Sequence, residues 1–121
     1  MIKGIGIDIC KINRLKLSSF KRILSEDEII AYKSIKLLSR KKEYLAGRFA
    51  LKEAIIKAFG NIDIKIYFQD ITILNDLNGK PIVKSPDYKD YFIWVSISHE
   101  KEYVIAQAII EKNNKINTWI I

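Results

Sequence analysis

Residues 2–9 alternate without a break. Ile5, Ile7 and Ile9 fall on one side of an extended chain, and Gly4, Gly6 and Asp8 fall on the other, the period-two pattern of a strand. The period then changes. Residues 14–32 carry helical spacing in two pieces, with Ser25 as an N-cap ahead of Glu26, Asp27 and Glu28. The clearest helix spans 39–59 and is closed by Gly60, the residue that most easily leaves a helix. Residues 70–74 and 81–84 read as short strands about Asn75-Asp76-Leu77-Asn78-Gly79, a turn of residues that tolerate positive φ. A second hairpin pairs 91–98 with 103–110 and turns at 99–102; its strands are rich in β-branched and aromatic residues. Residues 112–117 are polar, and the apolar end Trp119-Ile120-Ile121 has no place in the pattern. Strand, helices, then hairpins predict an α+β fold. It is a single domain over 1–121, a mostly antiparallel sheet packed on one long helix, with the tail 113–121 unplaced.

The long helix is apolar over an unusually wide arc. Leu45, Phe49 and Ile56 lie on one side, Tyr44, Leu51, Ile55 and Phe59 on another, and Ala46, Ala50, Ala54 and Ala58 fill much of the rest. A surface helix normally shows one apolar stripe, so a second copy of the chain is expected to cover part of this arc. The glycine face of the first strand offers a close-packing surface for it.

At 121 residues, the chain holds one modest core. Cys10 is its only cysteine, so no internal disulfide forms, which suits a reducing cytoplasm. Nothing near the N-terminus reads as a signal peptide, and no apolar run approaches the ~20 residues that span a membrane. A cytoplasmic protein without a membrane partner is expected. The net charge of +7 attracts polyanions: nucleic acid, a phosphate-rich cofactor or an acidic protein. A genome that favours Lys and Ile codons produces the same composition.

Asp8 stands on the glycine face, where a ligand or another backbone can come close. A carboxylate there suits Mg²⁺, which takes oxygen ligands; a strand-end Asp also starts turns and caps helices. Ala46, Ala50, Glu53 and Lys57 share one helical stripe, and Glu53 with Lys57 is either a surface i,i+4 ion pair or a functional acid and base. Arg40-Lys41-Lys42 sits in the first helical turn, where the macrodipole disfavours cations, so either an anionic partner or solvent meets that run. His99 is the only histidine and has no second His or Cys beside it for zinc. Gly4-Ile5-Gly6 lies inside a strand and is no dinucleotide fingerprint.

These segments together resemble the holo-[acyl carrier protein] synthases, the small 4′-phosphopantetheinyl transferases. Gly4-Ile5-Gly6-Ile7-Asp8-Ile9 is similar to their N-terminal strand motif. Phe49-Ala50-Leu51-Lys52-Glu53-Ala54, continued by Ile55-Ile56-Lys57-Ala58-Phe59-Gly60, resembles their helical signature. Asp70-Ile71, Asn78-Gly79-Lys80-Pro81 and Val95-Ser96-Ile97-Ser98-His99 follow in the family's order, so the resemblance covers roughly residues 1–111. It implies the 4′-phosphopantetheinyl transferase fold and Mg²⁺-dependent transfer of phosphopantetheine from coenzyme A to a serine of an acyl carrier protein, releasing 3′,5′-ADP, in fatty acid biosynthesis. It makes Asp8 and Glu53 the metal ligands and sets Lys57, Arg48 and Lys80 on the coenzyme's phosphates. Phe49, Gly79, Pro81, Ser98 and His99 are implied to line the coenzyme site, and Asp8, Glu53, Lys57 and His99 to form the catalytic group. Arg14 and Arg22 fall where the family grips the acidic carrier, and the assembly implied is a homotrimer with active sites between subunits. The rival reading is a small basic RNA- or ribosome-binding module. Phe92 and Trp94 share a strand face as base-stacking pairs do, although core packing is the expected use of both.

Overall fold

The structure, a computed structural model, describes residues 1–114. In chain order it runs β1 (Ile2–Lys11), α1 (Phe20–Ile23), α2 (Glu26–Ser34), α3 (Leu38–Gly60), β2 (Thr72–Asn75), β3 (Pro81–Ser85), β4 (Tyr91–His99) and β5 (Tyr103–Lys112). Short 3-10 turns link β1 to α1 and precede β2. The α+β prediction holds: the ends of the strands and of the long helix shift by a residue or two, but the helix expected from Arg14 begins only at Phe20, because residues 12–19 form 3-10 turns and extended links. The sheet is divided: β1, β5 and β4 form one antiparallel sheet with β5 in the centre, and β2 with β3 forms a separate hairpin. The end Trp119-Ile120-Ile121 lies outside the described residues.

The glycine face of β1 points inward onto α3. A Cβ on Gly4 would stand 2.0 Å from the carbonyl oxygen of Ala58, and one on Gly6 would stand 1.9 Å from that of Ala54. Strand and helix meet main chain on main chain, which only glycine allows. The face read as open to a ligand or a second copy is therefore filled by the chain's own helix. Asp8 follows on the same face, in one row with Ala106 of β5 and Ile97 of β4; the next row is Cys10, Val104 and His99.

The wide apolar arc of α3 is likewise covered from within. Ala50, Leu51, Ala54, Ile55, Ala58 and Phe59 share a core with Ile66, Ile71, Ile73 and the inner residues of β5. Leu45 packs with Ile23, Leu24 and Tyr32 in a second cluster under α1 and α2. The helix thus gives no reason for a second copy; one period-3.6 pattern had to serve two cores, and the sequence alone did not separate them. Exposed apolar side chains gather on the outer face of the sheet, with others, among them Ile30 on α2 and Leu37 and Leu38, around the start of α3. On the sheet face Ile5, Ile7 and Ile9 are 54–59% exposed, and Ile105, Phe92 and Trp94 are exposed beside them. Phe92 and Trp94, expected in the core, lie side by side on that face with ring centroids 5.9 Å apart.

Gly60 is the last helical residue rather than a left-handed cap. The C-cap, Asn61, keeps right-handed geometry, and the chain turns at Asp63, with φ of 58°. Ser25 caps α2 as its position predicts, forming a capping box with Glu28.

Candidate active site

Three ionisable groups meet where β1 crosses α3. The Lys57 ammonium donates to Asp8 Oδ1 at 3.1 Å and to the Ile7 carbonyl at 3.0 Å. Asp8 Oδ2 is buried and has no hydrogen-bond partner. Burial, with the Asp8 carboxylate close by, pushes the Glu53 carboxyl up from its ordinary value; Lys57 opposes both. The helical neighbours Glu53 and Lys57 form no ion pair with each other among the described residues, because Lys57 turns to the strand. Two converging carboxylates, one with an oxygen left bare, fit a hard divalent cation that keeps most of its coordination for water and phosphate oxygen. No group of three His, Cys, Asp or Glu residues gathers among the described residues, so the softer, nitrogen- and sulfur-rich metal sites are not built here.

Beside this cluster runs a groove of about 600 Å³, lined among others by Lys36, Arg40, Tyr44, Gly47, Arg48, Asn75, Gly79, Pro81, Ile97 and His99. Its size suits a cofactor, and its cations suit phosphate. The acid cluster does not line it, but Ile97 does, and Ile97 lies in the Asp8 row two strands away, roughly 10 Å.

Arg48 reaches the groove from a buried ionic knot. Glu28 and Lys52 are both fully buried and paired. Lys52 also donates to the Ile23 and Phe68 carbonyls, and Glu28 accepts from the Ser25 and Ile73 amides. Burial lowers the Lys52 pKa, against the pull of Glu28. Arg48 donates from Nε to the Ile73 carbonyl and from Nη2 to Asn75 Oδ1, with its guanidinium over the Tyr44 ring. Every side-chain polar atom of Glu28 and Lys52 is matched, as a buried ion pair requires; the knot ties α2, α3 and β2 together behind the groove.

The chain matches the 4′-phosphopantetheinyl transferase superfamily over residues 4–108. It is 50% identical over 119 residues to the holo-[acyl-carrier-protein] synthase of a Geobacillus species, covering 93% of this chain and 98% of that one. To the Bacillus pumilus synthase it is 48% identical over 121 residues, with 93% and 98% covered. The crystal structure of the Bacillus anthracis synthase in complex with CoA (3′,5′-ADP) superposes with a TM-score of 0.82 at 40% identity, covering 93% of this chain and 99% of that one. The chain belongs to the 4′-phosphopantetheinyl transferase superfamily. Within it, the relatives place the chain among the holo-[acyl carrier protein] synthases, as an enzyme of the transferase class.

Of the residues that the family motifs singled out, the structure brings Asp8, Glu53 and Lys57 together, and sets Arg48, Gly79, Pro81 and His99 around the groove. Others lie elsewhere. Phe49 stacks on Phe68 at 5.5 Å between the two cores and does not line the groove. Lys80 is exposed on the β2–β3 turn, outside the groove lining. Ser98 points to the outer face, one residue from His99 and so on the opposite side of the strand. Arg14 and Arg22 are both exposed, on the turn after β1 and on α1. Sequence reasoning missed Lys36 and the Glu28–Lys52 pair. Glu28 carries the capping-box signal, which accounts for its backbone bond but says nothing of the lysine across the fold.

Proposed function

We propose that this protein transfers 4′-phosphopantetheine from coenzyme A to a serine of an apo-acyl carrier protein, releasing 3′,5′-ADP, with Mg²⁺ bound by Asp8 and Glu53. The observation that carries the reading is the pair of carboxylates at the β1–α3 crossing, beside a basic groove of cofactor size. Arg48, held in place by Ile73 and Asn75, offers its remaining N–H groups to phosphate. Lys36, Arg40 and His99 add positive or polar groups along the same wall. The serine oxygen forms a bond to the β-phosphorus, and the bond from that phosphorus to the bridging oxygen breaks, so the electron pair leaves on 3′,5′-ADP. The hydroxyl proton passes to His99 or to a carboxylate through water. When bound, Mg²⁺ supplies charge neutralisation on the pyrophosphate. The protein's own share is positioning and a fixed electrostatic field.

The acidic carrier is proposed to dock on Arg14, on the turn after β1, and Arg22, on α1. The outer face of the sheet is proposed to close three copies into a ring, with active sites completed between subunits. A ring buries such a face without leaving an open end, and the exposed Ile5, Ile7, Ile9 and Ile105 form an apolar surface that a lone small protein would otherwise show to water. At the centre of that surface isoleucines lie beside Trp94, with Lys3 and Lys11 only towards the ends of β1, which favours a protein partner over RNA. The setting proposed is the cytoplasm; no helix among the described residues is long and apolar enough to cross a membrane.

The test is direct. Protein, apo-carrier, coenzyme A and Mg²⁺ are incubated, and the carrier is weighed for the phosphopantetheine gain of about 340 Da. Asp8→Asn and Glu53→Gln are each expected to lower the rate about 10²-fold or more. No mass gain with any carrier, or near-normal rates in both variants, refutes the reading.

A further inference from the structure

We propose that Lys57 is a tethered counter-ion that holds the cation position beside Asp8 when no metal is bound, and that it competes with the divalent ion for that position. The proposal rests on the metal reading of Asp8 and Glu53 and adds a second state of the same site. The geometry is that of a small cation among hard oxygens: Nζ lies 3.1 Å from Asp8 Oδ1 and 3.0 Å from the carbonyl of the preceding residue, Ile7. Oxygen donors of this kind also serve Mg²⁺. Among the described residues, no other base pairs with either carboxylate. One ammonium leaves the site a positive charge short, since two carboxylates converge on it and Asp8 Oδ2 stays bare. A divalent ion would satisfy both, but bound through Oδ2 it would stand one carboxylate's width from the Lys57 ammonium on Oδ1, and two cations that close repel, so they compete for the one carboxylate. The Lys57 side chain is 52% exposed, so its four-carbon stem can swing out. The released ammonium stays within reach of the site, one helical turn from Glu53, where phosphate oxygens would arrive. Metal entry and lysine release are thus one exchange, which keeps the carboxylates matched before the metal comes and frees a cation for the substrate afterwards.

The exchange is tested by calorimetric titration of Mg²⁺ into the full chain, with neither coenzyme nor carrier present. Lys57→Met is expected to bind Mg²⁺ about two- to fivefold more tightly than the wild type, the range spanned by a partly exposed ion pair, while its transfer rate falls. Lys84→Met, which removes an exposed charge on β3, is expected to bind as the wild type does. Equal or weaker binding in Lys57→Met overturns the proposal, and so does an equal gain in Lys84→Met, which would make the effect one of net charge. Two other results overturn the metal reading beneath it: no Mg²⁺ uptake in either wild type or Lys57→Met, or uptake that Asp8→Asn leaves unchanged.

Discussion

Gly6→Ala tests whether β1 and α3 are held main chain to main chain. The added Cβ would lie 1.9 Å from the Ala54 carbonyl oxygen, whereas a close carbon–oxygen contact needs about 3.3 Å. The shortfall is about 1.4 Å, and neither partner is a flexible side chain. The strand must lift from the helix, and a gap of 0.5–1 Å already forfeits roughly a quarter to a half of the dispersion at such a contact. Overpacking typically costs about 1–3 kcal/mol; with no rotamer to absorb it, at least about 3 kcal/mol is expected here, a Tm loss of roughly 10 °C or more. Urea unfolding followed by circular dichroism measures the change. Gly60→Ala is the matched control: nothing lies within 4 Å of its added Cβ, and the residue is helical, so it is expected to be neutral or to stabilise by up to about 1 kcal/mol. Adding Ala54→Gly to Gly6→Ala should not restore stability, because the clash is with a carbonyl oxygen. A Gly6→Ala protein with wild-type stability, or full rescue by Ala54→Gly, would refute the reasoning.

Glu53→Gln should raise the Tm of the metal-free protein by about 1–3 °C at pH 8 and leave it unchanged near pH 4. The raised Glu53 carboxyl makes the folded state hold a proton that the unfolded state gives up, so stability is lost as pH rises from the ordinary value of 4.5 through the raised one; equal melting at both pH values would count against a crowded carboxylate pair. Arg14→Glu should raise KM for the carrier far more than KM for coenzyme A, with a steep salt dependence in the wild type; equal rises would remove Arg14 from the docking surface. If the proposed ring forms, Ile105→Asp should shift it to monomer in light scattering at micromolar concentration, and an unchanged mass would clear the outer face of that role. Glu28→Gln strands the buried Lys52 and should cost about 3–5 kcal/mol in urea unfolding, most of it recovered by adding Lys52→Met; a cost below about 1 kcal/mol would mean the knot is not dry.

The local pattern carried most of the fold. The alternation at 2–9, the cap at Ser25 and the β-branched strands at 91–98 and 103–110 each matched an observed element, because each is decided by neighbours in sequence. What failed was direction. Alternation separates Ile5, Ile7 and Ile9 from Gly4 and Gly6 but does not say which set faces in, and the usual preference for buried isoleucine is reversed here by a helix that comes too close for side chains. The same limit applies to Phe92 and Trp94. The Asp8, Glu53 and Lys57 grouping was reached through family motifs; helix spacing alone suggested an ion pair within α3, whereas Lys57 crosses to β1. The pairing of Glu28 with Lys52 joins residues 24 positions apart, and no local rule signals it.

The two close approaches of β1 have a consequence for frame. Sliding the strand by one residue would bring Ile5 and Ile7 to where Gly4 and Gly6 now sit, against carbonyl oxygens with no room even for a methyl group, and would turn Asp8 away from Glu53 to the opposite side of the sheet. Gly4 and Gly6 therefore act as a key cut for a single phase. A one-residue deletion within β1 should abolish folding, while the same deletion among exposed residues 76–78 of the β2–β3 turn should leave the domain intact.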